Sequence, residues 1–207
     1  MLAPIAATLL YYLLPDEWRA AWPAQFFPQV CAYVALMLWS RLNDKPLARL
    51  GLAREKLRDA LPSGMAIGFL LGFFNLAVIL LLVPRLGYDY SFLTDTPHAR
   101  IPLWLMVPWF IALIAFMVEL NFRGFLLGRL DALGLPVPLA IPLTAVLFAF
   151  DPFMVATFRH LHWIAVWDGL VWGTVQQRRR NLYIPIIAHG IEVILLYSVM
   201  RSILAAQ

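Results

Sequence analysis

The chain has 207 residues, 62% of them hydrophobic and 14% charged, with a mean hydropathy of +0.77 and a formal net charge of +4. A soluble domain is about half apolar and a quarter charged, so the composition excludes an ordinary soluble globular protein and describes a single-domain polytopic membrane protein. The small positive balance calls for no nucleic-acid partner, and a single cysteine, Cys31, excludes an internal disulfide and a Cys-rich metal site.

Seven apolar segments follow one another: Leu2–Leu14, Phe26–Trp39, Met65–Val83, Pro102–Leu120, Val137–Phe150, Trp163–Val175 and Tyr183–Leu204. A membrane span needs about 20 mostly apolar residues. The third, fourth and seventh segments come close to that or meet it, and the others are short. The expected fold class is all-α, a transmembrane helical bundle of about seven spans. The first segment lacks a basic flank and reads as retained rather than as a signal peptide.

Charge placement supports a multi-pass protein of the cell membrane. Arg41, Lys45, Arg49, Arg54, Lys56 and Arg58 follow the second segment, Arg129 the fourth, and Arg178, Arg179 and Arg180 the sixth. In a seven-span arrangement these share one side. Arg19, Arg85, Arg100, Arg159 and Arg201 fall on the other. The bias places the richer side, and the N-terminus, in the cytoplasm. Leu50, Leu57 and Leu61 recur at helical spacing in the loop 43–63, which reads as a short amphipathic surface helix or as a basic patch gathering substrate. Pro136, Pro138 and Pro142 predict an irregular start to the fifth segment.

The chain divides into residues 1–100, supporting spans with few intramembrane charges, and 101–207, which carries the ionisable residues. An ionisable side chain in hydrocarbon costs on the order of 2.5–3.5 kcal/mol even on the mildest scale, so it persists where it is paired or used. Glu119 and Arg123 are four apart in one apolar run and can neutralise each other on a helix face. Burial raises a carboxyl pKa and a guanidinium lowers it, a balance that fits Glu119 to take a proton from water. A Glu–Arg pair that merely ties helices together remains the alternative. His189 lies deep in the seventh segment and can share a water with Glu119, or be a core histidine bonded to a carbonyl. Glu192 is on the same face. Asp151, before Pro152, orients a water or a histidine, or caps a helix. Asp168 lines a pocket or bonds a neighbouring helix. His160 and His162 read as interfacial, and the four histidines, with His98, have no metal-ligand spacing. No metal or other cofactor is expected. His-Glu-x-x-His, Gly-x-Ser-x-Gly and Walker-type loops are all missing.

The stretch Glu119-Leu-Asn-Phe-Arg123-Gly124-Phe-Leu-Leu resembles the first motif of the CPBP (Abi) family of intramembrane proteases, which includes the type II CAAX prenyl endopeptidases. Gly173–Arg178, leading through Leu182–Ala188 to His189, resembles the family's last motif, and Leu147–Pro152 sits where its Phe-x-x-x-His motif is expected. The resemblance covers about residues 101–200. Three positions depart. Val118 replaces the first Glu of the family's Glu-Glu pair, the usual water activator. Asp151 stands for the middle histidine only if Leu147 stands for the Phe. Val193 follows His189 by four, where many relatives carry Asn.

The resemblance implies an intramembrane endopeptidase that cuts a peptide bond of a membrane-associated peptide or protein, with Glu119 and His189 activating water and Arg123 and Asp151 as further catalytic candidates. The alternative is a non-catalytic homologue that binds a membrane peptide or protein partner. A small transporter gated by Glu119–Arg123 is a third. The expected partners are membrane lipid and the membrane-associated substrate.

Overall fold

The computed structural model of the chain describes residues 3–96, 99 and 101–204. His98 and Arg100, used in the histidine and charge readings, lie outside the described residues. Among the described residues every regular element is helical and none is a strand. The longer helices are α1 (Ala3–Tyr12), α2 (Trp22–Arg41), α3 (Leu57–Ala77), α4 (Leu127–Ala132), α5 (Val137–Ala149), α6 (Pro152–Phe158), α7 (Ile164–Arg179) and α8 (Tyr183–Leu204). Val78–Leu82, Val107–Ala115 and Leu120–Leu126 are π-helical, and Phe116–Glu119 is a single α-turn.

These elements form two compact units, each drawing on both parts of the sequence. One gathers Met1–Gly51 and Leu120–Arg180, the other Leu52–Glu119 and Asn181–Gln207.

In the first unit, α1 buries Pro4, Ala7, Thr8 and Tyr11, the i, i+3, i+4, i+7 stripe of an amphipathic helix. It packs on α2, which buries Pro28, Ala32, Leu36 and Trp39. A second pair, α5 and α7, closes on small residues. A Cβ added at Gly169 would lie 2.8 Å from the Ala145 Cα, and one at Gly173 would lie 3.1 Å from the Ile141 Cγ2. Helices associate in lipid by such close approach, because apolar burial alone gives no drive there.

The second unit is built on α3 against α8. Gly64, Gly68 and Gly72 recur every four residues on the buried face of α3. A Cβ at Gly68 would come within 2.7 Å of the Ala188 carbonyl oxygen, so only glycine admits the α8 backbone there. Tyr197 of α8 packs with Met106 and shares a 2.8 Å hydrogen bond with the Thr96 hydroxyl.

Among the described residues, two helical runs are long and apolar enough to cross a membrane, Arg54–Leu86 and Tyr183–Ile203. Val137–Ala149 with Pro152–Leu161, bent by 53°, makes a third if the pair is one span. This is fewer than the seven spans expected from hydropathy, for local reasons. The fourth segment is broken into short α and π pieces around Pro102 and Pro108. Helix α7 has 16 residues, about 24 Å at helical rise, short of a hydrocarbon core of ~30 Å, so it crosses only where the bilayer thins around it.

Two local expectations change. The loop after α2 holds only the turns Pro46–Arg49 and Arg54–Lys56, interrupted by the left-handed Lys45 and Gly51, so there is no single amphipathic surface helix. Helix α5 runs unbroken through the proline-rich start of the fifth segment: Pro136 is its N-cap, Pro138 lies in its first turn, where a missing N–H costs nothing, and Pro142 lies inside it, where one backbone hydrogen bond is lost.

Candidate functional site

Within the second unit, Glu119 is fully buried at 0% exposure, and His189 is 8% exposed. Glu119 closes the α-turn that follows the π-helical stretch Val107–Ala115; π-helical turns are frequent at functional sites. His189 sits in the first half of α8, beside the Gly68 contact. The His189 Nδ1 lies 2.9 Å from the Glu119 Oε1. The sequence expects a water between them, and the structure brings them into direct contact. With the carboxylate ionised, its oxygen only accepts, so the ring would donate through Nδ1–H and leave Nε2 as the acceptor. A carboxylate on one nitrogen thereby fixes the tautomer that makes the other a base.

Glu192 lies three residues further along α8 and is buried. Its Oε1 accepts a 2.6 Å hydrogen bond from the Asn75 Nδ2 of α3. A Cβ at Gly72 would sit 3.4 Å from the Glu192 Cα, so the glycine face also sets this spacing. Asn75 was not anticipated, although an amide three residues beyond Gly72, inside an apolar span, was its visible signal.

Arg123 and Asp151 belong to the first unit. Arg123 is 1% exposed, and its guanidinium carbon lies 4.3 Å from the Phe148 ring centroid and 4.9 Å from that of Trp172. A Cβ at Gly169 would sit 3.0 Å from its Nη2, so this glycine leaves room for the guanidinium. Arg123 thus rests among aromatic faces, an arrangement favourable to a cation. It lies in the π-helical stretch Leu120–Leu126.

Asp151 is the N-cap of α6. Its Oδ1 accepts from the Phe153 N–H at 3.0 Å and from the Gln29 Nε2 at 2.8 Å. The helix-capping alternative is therefore met in the backbone itself. Asp168 is buried in α7, in the same run as Ala165, Gly169 and Trp172. The His162 Nδ1–H donates to the Arg159 carbonyl at 2.5 Å, and its ring meets Phe150 edge-on at 4.8 Å.

Residues 100–195 match the family model described as Rce1-like, type II CAAX prenyl endopeptidase, in agreement with the resemblance carried by the motifs. No curated protein and no solved structure matches the chain. The matched stretch contains Glu119, Arg123, Asp151, His189 and Glu192.

Proposed function

With an Rce1-like region over residues 100–195 as premise, we propose that the chain is a multi-pass intramembrane endopeptidase of the CPBP type, acting on a membrane-associated peptide or protein. The observation that carries this reading is the buried contact of 2.9 Å between His189 Nδ1 and Glu119 Oε1. Nε2 takes a proton from a water as its oxygen attacks the scissile carbonyl carbon. The imidazolium returns that proton to the amine nitrogen as the C–N bond breaks. The Glu119 carboxylate holds the ring and offsets the positive charge that forms on it. Asp151 and Arg123 enter as positioning residues of the first unit. Asp151 ties α6 to α2 through Gln29, and Arg123 seats the stretch Leu120–Leu126 against Phe148 and Trp172. In the seven-span arrangement the basic loops face the cytoplasm.

The test is cleavage of a farnesylated CAAX peptide by the purified protein in lipid. Glu119→Gln keeps an acceptor for Nδ1–H but removes the charge, and is expected to lower kcat by about 10²–10⁴-fold. His189→Ala removes the base and is expected to fall at least as far. Unchanged cleavage in both variants rejects the mechanism. Val118, standing where the family places its first Glu, favours a second reading as a non-catalytic homologue that binds the same peptide. Wild-type protein that binds the peptide without cutting it would establish that reading instead.

A further inference from the structure

Helix α2 has two apolar faces. One is buried against α1. The other presents Val30, Val34 and Leu38, continued by Leu42 at the C-cap, and all four are strongly exposed. These residues line a groove of about 620 Å³ that also includes Trp39 and Arg129. From Val30 to Leu42 the stripe rises twelve residue steps, about 18 Å, close to one leaflet of a ~30 Å hydrocarbon core.

The end of the groove near Leu42 is basic. The Arg129 guanidinium lies 4.8 Å from the Trp39 ring centroid. The Arg49 guanidinium acts on Arg129 as a like charge and donates to Asn43, another lining residue, at 2.8 Å. Among the described residues neither guanidinium has a carboxylate within ion-pair distance. Two neighbouring cations at one end of an apolar trough have the charge and shape complement of an amphiphile with an anionic head. Basic pockets beside membrane helices on the cytoplasmic side recognise such lipids.

We propose that this groove binds an anionic phospholipid, with an acyl chain along the Val30–Leu42 stripe and the phosphate at Arg129 and Arg49. The site lies wholly in the first unit and does not depend on the Glu119–His189 chemistry. A zwitterionic phospholipid also fits the trough, but its own quaternary ammonium competes with the two guanidiniums for the phosphate and adds a third cation beside them.

The full-length protein in mild detergent is titrated with phosphatidylglycerol, phosphatidylcholine, inorganic phosphate and a farnesylated peptide, with bound lipid counted by native mass spectrometry. Phosphatidylglycerol is expected to bind at least about tenfold tighter than phosphatidylcholine. Arg129→Gln and Arg49→Gln each weaken it about fivefold, the equivalent of ~1 kcal/mol per basic residue at the membrane surface. Val34→Trp, a change at an exposed position that fills the trough, abolishes the high-affinity lipid while leaving the arginines in place. Arg49 is exposed, so its variant reports even if Arg129→Gln folds poorly. Equal affinity for the two lipids, phosphatidylglycerol binding unchanged in the variants, full occupancy by phosphate alone, or displacement of the lipid by the farnesylated peptide would each overturn the proposal.

Discussion

A carboxylate with no solvent exposure survives only where donors replace water. Glu119 has the His189 ring and Glu192 has the Asn75 amide, so each of these two buried acids meets a donor from a different stretch of chain. The two pairs respond differently to change. Asn75→Ala removes a donor from a buried carboxylate and is expected to cost about 1.5–3 kcal/mol, the range for hydrogen bonds to charged groups. Asn75→Asp, almost the same size, places a second acid against Glu192 and is expected to cost more than the alanine. Unfolding in mixed micelles measures both, and an aspartate variant as stable as wild type would remove the pairing from the account. The acids and the histidine were legible because ionisable groups in apolar runs stand out by cost alone. Asn75 was not, since a neutral amide is a much weaker signal in the same hydropathy plot. Nor was direct contact between Glu119 and His189 legible, because two groups seventy residues apart carry no spacing information.

At the level of elements, the glycines decide how close the helices come. Gly68 faces the Ala188 carbonyl, one residue before His189, with no room for a methyl group. Gly68→Ala is expected to destabilise by about 1–3 kcal/mol through overpacking. It should also lower peptidase activity further than the folded fraction explains, because the displaced backbone carries the imidazole. Gly128, around which an added Cβ meets nothing within 4 Å, is the control. There Gly128→Ala is expected to be neutral or to stabilise by up to about 1 kcal/mol through helix propensity. Equal effects at the two positions, read by unfolding and by turnover, would mean that the glycine face has no part in setting the site. The four-residue glycine repeat is visible in the sequence. The π-helical stretches are not, because a change of helical register within an apolar run leaves no mark in hydropathy.

For the whole molecule, hydropathy marked where apolar chain lies but not how it is broken, and the break at Asp151 has the largest consequence. Helices α5 and α6 meet at a 53° bend. Asp151 caps α6 in an extended conformation (ψ 134°), the state that Pro152 favours in the residue before it. If the bent pair is one kinked span, Arg159 emerges opposite Arg129, and α7 returns the chain so that Arg178, Arg179 and Arg180 are cytoplasmic. If the pair is re-entrant, the chain comes back to its starting side and α7 carries the three arginines outside, against the positive-inside rule. The kinked span is therefore expected. In a Cys31→Ser background, Arg179→Cys and Asp44→Cys should react with an impermeant maleimide only in inside-out vesicles, and Ser91→Cys only in right-side-out ones. All three positions are exposed, so burial does not mask the outcome. Labelling of Arg179→Cys from outside, with Asp44→Cys still inside, would make the bent pair a re-entrant hairpin and reduce the span count by one. It would also put Asp151 at the tip of a loop dipping into the membrane from the cytoplasmic face, rather than in mid-span.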